Sequence, residues 1–385
     1  MIQRAFGHAR RVGVLGLCTA VTVLVAATAS SAATSVNVSC GDSTGLVAAV
    51  NMVNAGGGGS INLAAGCTYS LTTRNNTVMG GNGLPVVVSP ITINGKGATI
   101  AGNNSNFRII AIDGNSGGAL TLNGVAITGG HIAGMMVGGA GGGILNLSGN
   151  LTLNSATVTH NFASDAGGGI ANGFGATATL NKSEVSWNTV PQTGSGGGGM
   201  LGIAASLTLN QSLVDHNTGP GGGGIASGNG NGGGPGSSIT LNKSVISNNT
   251  ATNPDAGGGG ISNGGTLVSN NSQIVDNTAP GAAGAGLLNH VTATLNKTVV
   301  SGNSAPGGLG GGITNAIFFA GQPTPTLVLN HSQVTGNSAA SGGGIVNVSF
   351  DPTVPAGTVT LNHSDVSSNM PDNCEPPGSI TGCTD

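Results

Sequence analysis

The chain has 385 residues, of which 74 are Gly; aromatics make up 2%, charged residues 5%, and the formal net charge is −3. Disorder is excluded, because it couples low hydrophobicity with high charge, and so is collagen, because Gly does not recur at every third position. With 38% hydrophobic residues and far fewer charges than the roughly 25% of ordinary soluble domains, the composition leaves a stacked structure of small side chains, tight turns and uncharged polar groups.

Residues 1–33 have the order of a secretory signal peptide. A basic start (Arg4, His8, Arg10, Arg11) precedes the apolar run Val12–Ala27 and a small-residue stretch through Ala33. Its removal leaves six basic against twelve acidic residues, a net charge of −6. That balance disfavours nucleic acid and an anionic membrane surface as partners, since both need clustered Lys and Arg. No stable membrane insertion is expected after cleavage, and the mature chain is expected outside the cell or on its surface.

Residues 34–75 form an amino-terminal cap. Asp42, Ser43 or Thr44 can cap a helix over 43–55, with Leu46, Val47, Val50 and Val53 on one face and Gly56–Gly59 ending it. Such a helix covers the first open edge of a β array. Irregular first rungs are expected over 76–130. Short strands at 60–63, 68–71, 86–88, 91–94, 98–100 and 107–112 are separated by Gly, Asn and Pro.

Regular repeats then run over 131–369. The phrase L-N-x-[S/T]-x-V-x-x-N starts at Leu122, Leu153, Leu180, Leu209, Leu241, Ser269 (a degenerate copy), Leu295, Leu329 and Leu361, at intervals of 26–34 residues. Eight Gly-rich segments with an apolar end accompany the copies, seven of them a glycine pair and an apolar residue, as in Gly168-Gly169-Ile170, and one Ala285-Gly286-Leu287. Three short strands and three bends make one turn of a parallel β-helix, so the fold class is all-β, a right-handed parallel β-helix solenoid with a short amino-terminal capping helix. Leu and Val are expected to fill the bore. Asn is expected to take the left-handed corners and to stack up the column. Length variation falls in stretches such as Gly228–Gly236 and Gly321–Pro325, which read as loops.

Residues 370–385 form a carboxy-terminal cap. Four cysteines remain after signal cleavage: Cys40, Cys67, Cys374 and Cys383. An even, exported set reads as disulfides. Cys40–Cys67 with Cys374–Cys383 is the simplest of three connectivities; a four-thiolate zinc site would require the two ends of the solenoid to meet.

The Gly-Gly-x-Ile and V-x-x-N pair resembles the G-G-A-I and F-x-x-N repeats of the chlamydial polymorphic outer membrane proteins, with Gly for Ala and Val or Ile for Phe. The entry segment from Cys40 through Leu46–Asn51, Asn54-Ala55 and Gly58–Leu63 to Tyr69 also resembles that of bacterial secreted right-handed β-helix proteins. The first resemblance implies adhesion at a cell surface. Those proteins end in an outer-membrane barrel, whereas this sequence stops at Asp385, soon after Cys383.

Chemistry on a β-helix that cleaves polysaccharides needs clustered carboxylates along one face, with Lys or Arg for the lyases. Glu184 and Asp365 share a phase but lie six units apart. Asp215 and Asp276 are two rungs apart and one position out of phase. Lys182, Lys243 and Lys297 share a column without matching carboxylates. No catalytic residue is therefore assigned; Asp215 is the candidate on which a divergent polysaccharide lyase or glycoside hydrolase would rest. His160, Trp187 and His216 precede the closing Asn in three consecutive units and predict an aromatic strip, suited to sugar rings, beside Asp215. No cofactor or metal is expected. The sequence reads as a non-catalytic protein that binds extracellular polysaccharide or cell-surface proteins, with a lyase or hydrolase and a structural envelope role as alternatives.

Overall fold

The computed structural model describes residues 34–103, 106–228, 236–318 and 320–384. The expected signal segment and most of the Gly228–Gly236 loop lie outside them. The described residues belong to one compact unit.

The chain is a parallel β-helix. The T-L-N strands stack residue on residue, Leu153 on Leu180, Leu209, Leu241, Ser269, Leu295, Leu329 and Leu361. The V-x-x-N strands stack likewise, Val158 on Val185, Val214 and Ile246. The eight strands that follow the Gly-rich segments, with Ile110–Asp113 at one end and Cys374–Glu375 at the other, form a separate ten-stranded parallel sheet. Two strands, Pro90–Gly102 and Ala119–Thr128, run through a corner and join the first two faces into one 21-stranded sheet. The Leu, Val and Ile columns meet in one continuous buried cluster. Each rung thus buries its apolar side against the next, which supplies the cooperative driving force of a stacked array.

The glycine pairs are explained by their neighbours. A Cβ on Gly169 would sit 2.8 Å from Asn188 Nδ2 and 2.9 Å from Gly199 O, so a larger residue would displace the buried Asn column.

That column is one of three. An outer ladder runs from Asn37 to Asn362, each Nδ2 donating to the Oδ1 of the preceding rung at 2.8–3.1 Å. A buried ladder runs from Asn161 to Asn373, donating the opposite way at 2.9–3.1 Å. A third lies behind the glycine strands, joining Asn146 to Asn172 and linking Asn263, Asn289, Asn315 and Asn347. In the degenerate copy Ser269 is fully buried at a Leu site, and its hydroxyl is satisfied by Thr298 Oγ1 at 2.9 Å.

The corners correct one expectation. The laddered Asn residues do not take the left-handed conformation; their neighbours do. The residue after the outer ladder Asn has φ of 48–53° in Ser155, Lys182, Gln211, Lys243, Asn271, Lys297, His331 and His363. The residue before the closing Asn does the same in His160, Trp187, His216, Asn248 and Asp276, at 51–56°. A side-chain amide can stack only if its backbone stays in line with the strand, so the turn falls to the next residue, which points outward.

The cap helix, α1, spans Ser43–Ala55 with Asp42 accepting from Gly45 N, and it buries Leu46, Ala49, Val50 and Val53. Residues 91–94 and 98–100, expected as two strands, are one, bent at Lys96 and Gly97. The strand expected at 86–88 is reduced to a single bridge at Val87. Asn54 of α1 takes its ladder bonds, donating to Val86 O and accepting from Val88 N. Both disulfides form in the simplest pairing, Cys40–Cys67 and Cys374–Cys383.

Arg108 is fully buried, and no carboxylate among the described residues pairs with it. Nε donates to Ala140 O (3.1 Å), Nη1 to Met79 O (2.8 Å) and Asn82 Oδ1 (3.0 Å), and Nη2 to Val137 O (2.8 Å) and Gly138 O (3.3 Å). Burial pushes its pKa down to about 10. It ties two loops to the early rungs.

Candidate functional site

The corner before the closing Asn is where the predicted site residues meet. Their left-handed backbones turn the side chains outward, and the rung spacing of about 4.8 Å brings successive rings into contact. His160 and Trp187 stack with centroids 6.2 Å apart and planes 11° from parallel; Trp187 and His216 lie 4.2 Å and 14° apart. Trp187 remains 51% exposed. The strip forms, but the rings spend part of their faces on one another, so the outward surface is rich in ring edges. Edges carry the indole N–H and imidazole nitrogens, which are hydrogen-bonding groups.

Asp215 anchors the strip. Its Oδ2 pairs with His216 Nδ1, and its Oδ1 accepts from Ser247 Oγ at 2.6 Å and Asn248 Nδ2 at 2.9 Å. Burial by itself would raise the Asp215 pKa, but the hydrogen bonds from Asn248, Ser247 and His216 outweigh it and hold the carboxyl below its usual range. A carboxylate committed to three donors is a weak base. It is well suited to fixing the His216 ring and poorly suited to taking a proton from substrate.

The same corner continues through Asn248 and Asp276, two positions the sequence reading did not include in the strip. Their signal was available, since both precede a closing Asn (Asn249, Asn277). His160 to Asp276 makes a polar and aromatic edge over five rungs, about 19 Å long at strand spacing. It ends where Gly302 and Gly336 take the corner.

Glu184 sits in register with Thr157 and Leu213 on the V face, and Asp365 with Gln333 at its far end. The two stay apart, as the spacing required. Lys182, Lys243 and Lys297 occupy alternate positions on the other corner, which closes with the stacked pair His331–His363 at 5.1 Å. Among the described residues no three His, Cys, Asp or Glu side chains are grouped to hold a metal ion. No described helix is long and apolar enough to cross a membrane.

A second aromatic group escaped the sequence reading. His290, Phe318 and Phe350 follow the ends of three successive glycine-face strands, with centroids 5.2 and 4.9 Å apart. Burial pushes the His290 pKa down from 6.5 to about 4. Between those values the unfolded chain binds the proton and the folded chain does not, so stability falls as pH drops through the window, by roughly 3 kcal/mol at most. Urea unfolding across the window should show this acid-side loss, and His290→Phe should flatten it; an unchanged slope in the variant would remove His290 as its cause.

No family model matches the chain, and no curated protein matches it. Among solved structures it is similar to the crystal structure of pectate lyase Pel9A, at 13% identity and a TM-score of 0.43, over 88% of this chain and 80% of that one. It is also similar to the A-module of the Azotobacter vinelandii mannuronan C-5 epimerase AlgE6, at 13% identity and a TM-score of 0.42, over 85% of this chain and 96% of that one.

Proposed function

We propose that this protein is an extracellular, non-catalytic β-helix that holds a neutral polysaccharide along the corner from His160 to Asp276. The observation that carries the reading is the stacked His160–Trp187–His216 strip, locked at one end by Asp215. Ring edges and the Asn248 amide present donors and acceptors at rung intervals, which suits a hydroxyl-rich chain lying parallel to the stack. The uncovered part of the Trp187 face adds apolar contact with sugar C–H groups. Asp215 and Asp276 place two carboxylates on this edge, which disfavours a polyanionic ligand. The Gly-Gly-x-Ile and V-x-x-N repeat, which resembles that of the polymorphic outer membrane proteins, supports a binding role at a surface.

Trp187 is the only Trp in the chain, so intrinsic tryptophan fluorescence reports on this site alone. Titration with neutral oligosaccharides should give a saturable change. Calorimetry on Trp187→Ala should show at least a tenfold loss of affinity, about 1.4 kcal/mol. Unchanged affinity in that variant would remove the strip from the binding site. Release of reducing ends that disappears in Asp215→Asn would replace the non-catalytic reading with a lyase or hydrolase.

A further inference from the structure

A groove of about 450 Å³ lies on the outer side of the glycine-face sheet, and none of the aromatic-corner residues lines it. Its shape follows from register. Leu145, Ala171 and Leu201 stack in one column, and Leu147, Gly173 and Ile203 in the next. The middle rung therefore lacks the side chains that its neighbours carry. The flanking side chains are two strand spacings apart, about 9.6 Å centre to centre, which leaves room for one alkyl chain or one aromatic ring. Val137 and Met136 wall one side and Phe174 another. The wall at Val137 is held by the Arg108 guanidinium through Val137 O and Gly138 O.

Large exposed apolar side chains collect here. Met136 is 77% exposed and Phe174 59%, and Met135, next in the chain, is 85% exposed. An apolar cluster of this kind on a surface otherwise rich in Thr, Ser and Asn marks a binding site. One charged group lines the groove, Asp165, whose Oδ1 accepts from Ser195 Oγ at 2.8 Å. Among the described residues no Lys, Arg or His lines it. An apolar slot one layer thick with a single carboxylate is complementary to a small hydrophobic cation.

We propose that this groove is a second binding site, for a small amine whose single ring or short alkyl chain fills the slot over Ala171 and Gly173 and whose ammonium pairs with Asp165. The site is independent of the polysaccharide edge.

The test uses the mature protein with phenethylamine, hexylamine and phenylpropionate as probes, followed by calorimetry and thermal melting. The amines should bind saturably, at least tenfold more tightly than the acid, and raise the melting temperature. Asp165→Asn should abolish that preference. Gly173→Leu should fill the slot: a Cβ there meets Leu147 Cδ2 at 3.7 Å and Ile203 O at 3.9 Å, ordinary contacts. Amine binding should be lost while the melting temperature is kept; if this variant fails to fold, Ala171→Leu serves the same purpose. Absence of amine binding, equal binding of phenylpropionate, or undiminished binding to the slot-filled variant would each overturn the proposal.

Discussion

Asn249→Ala is expected to destabilise the protein by about 3–6 kcal/mol. Asn249 is fully buried in the inner ladder. Its Nδ2 donates to Val214 O and Asn277 Oδ1, and its Oδ1 accepts both the backbone N–H and the Nδ2 of Asn217, all at 3.0 Å. Truncation leaves the buried backbone N–H and one side-chain N–H of Asn217 without partners, each costing about 1–3 kcal/mol, and takes from Val214 O one of its two donors, the other being the ladder bond from the Ser247 strand. Asn249→Asp keeps the volume but sets an acceptor against Val214 O and Asn277 Oδ1, so at neutral pH it should be no milder. The outer ladder supplies the control. Asn242 is half-buried and makes one ladder bond on each side, at 2.9 Å, and water can replace both. Asn242→Ala should therefore cost about 1 kcal/mol. Urea unfolding of the two Ala variants decides the matter, and equal losses would show that burial does not set the strength of a ladder.

Arg108→Met should cost at least about 3 kcal/mol. The five acceptors around the guanidinium, from Met79, Asn82, Val137, Gly138 and Ala140, would face a thioether. Local effects should exceed the global one: amide exchange should accelerate in 79–82 and 137–140 before the rest of the rungs respond. Arg108→Lys keeps the charge but replaces a planar fork by a point donor, so it should restore less than half of the loss. A Met variant within about 0.5 kcal/mol of the parent would mean that packing, not the guanidinium, holds these loops.

How much of this was legible in the sequence depended on whether a position repeats. The Leu, Val and Ile columns and the two Asn positions of the repeated phrase recur in nearly every unit, and all proved to stack as read. The task given to Asn was wrong in part, because a stacked amide and a left-handed backbone compete for the same residue. The third ladder was missed although Ile170-Ala171-Asn172 and its counterparts carry it, since the glycine pair drew the reading to the residues before Ile. Arg108 and the groove were beyond reach. Each depends on one rung differing from its neighbours and on a loop folding over it, and no periodic pattern encodes a departure from period. The aromatic strip was readable because three departures happened to share one phase.

The three ladders have a consequence for how such a chain changes length over generations. Inserting one residue into a T-L-N strand would push that rung's Asn out of its column and break the outer ladder there, because the strand has no slack, whereas the next outward loop would restore the register of the rungs beyond. Duplicating a whole unit would add one Asn to each ladder that the unit carries and one residue to each bore column, leaving every junction as it was. Genetic drift in length is thus confined to two outcomes, free variation in the outward loops or the gain and loss of complete turns.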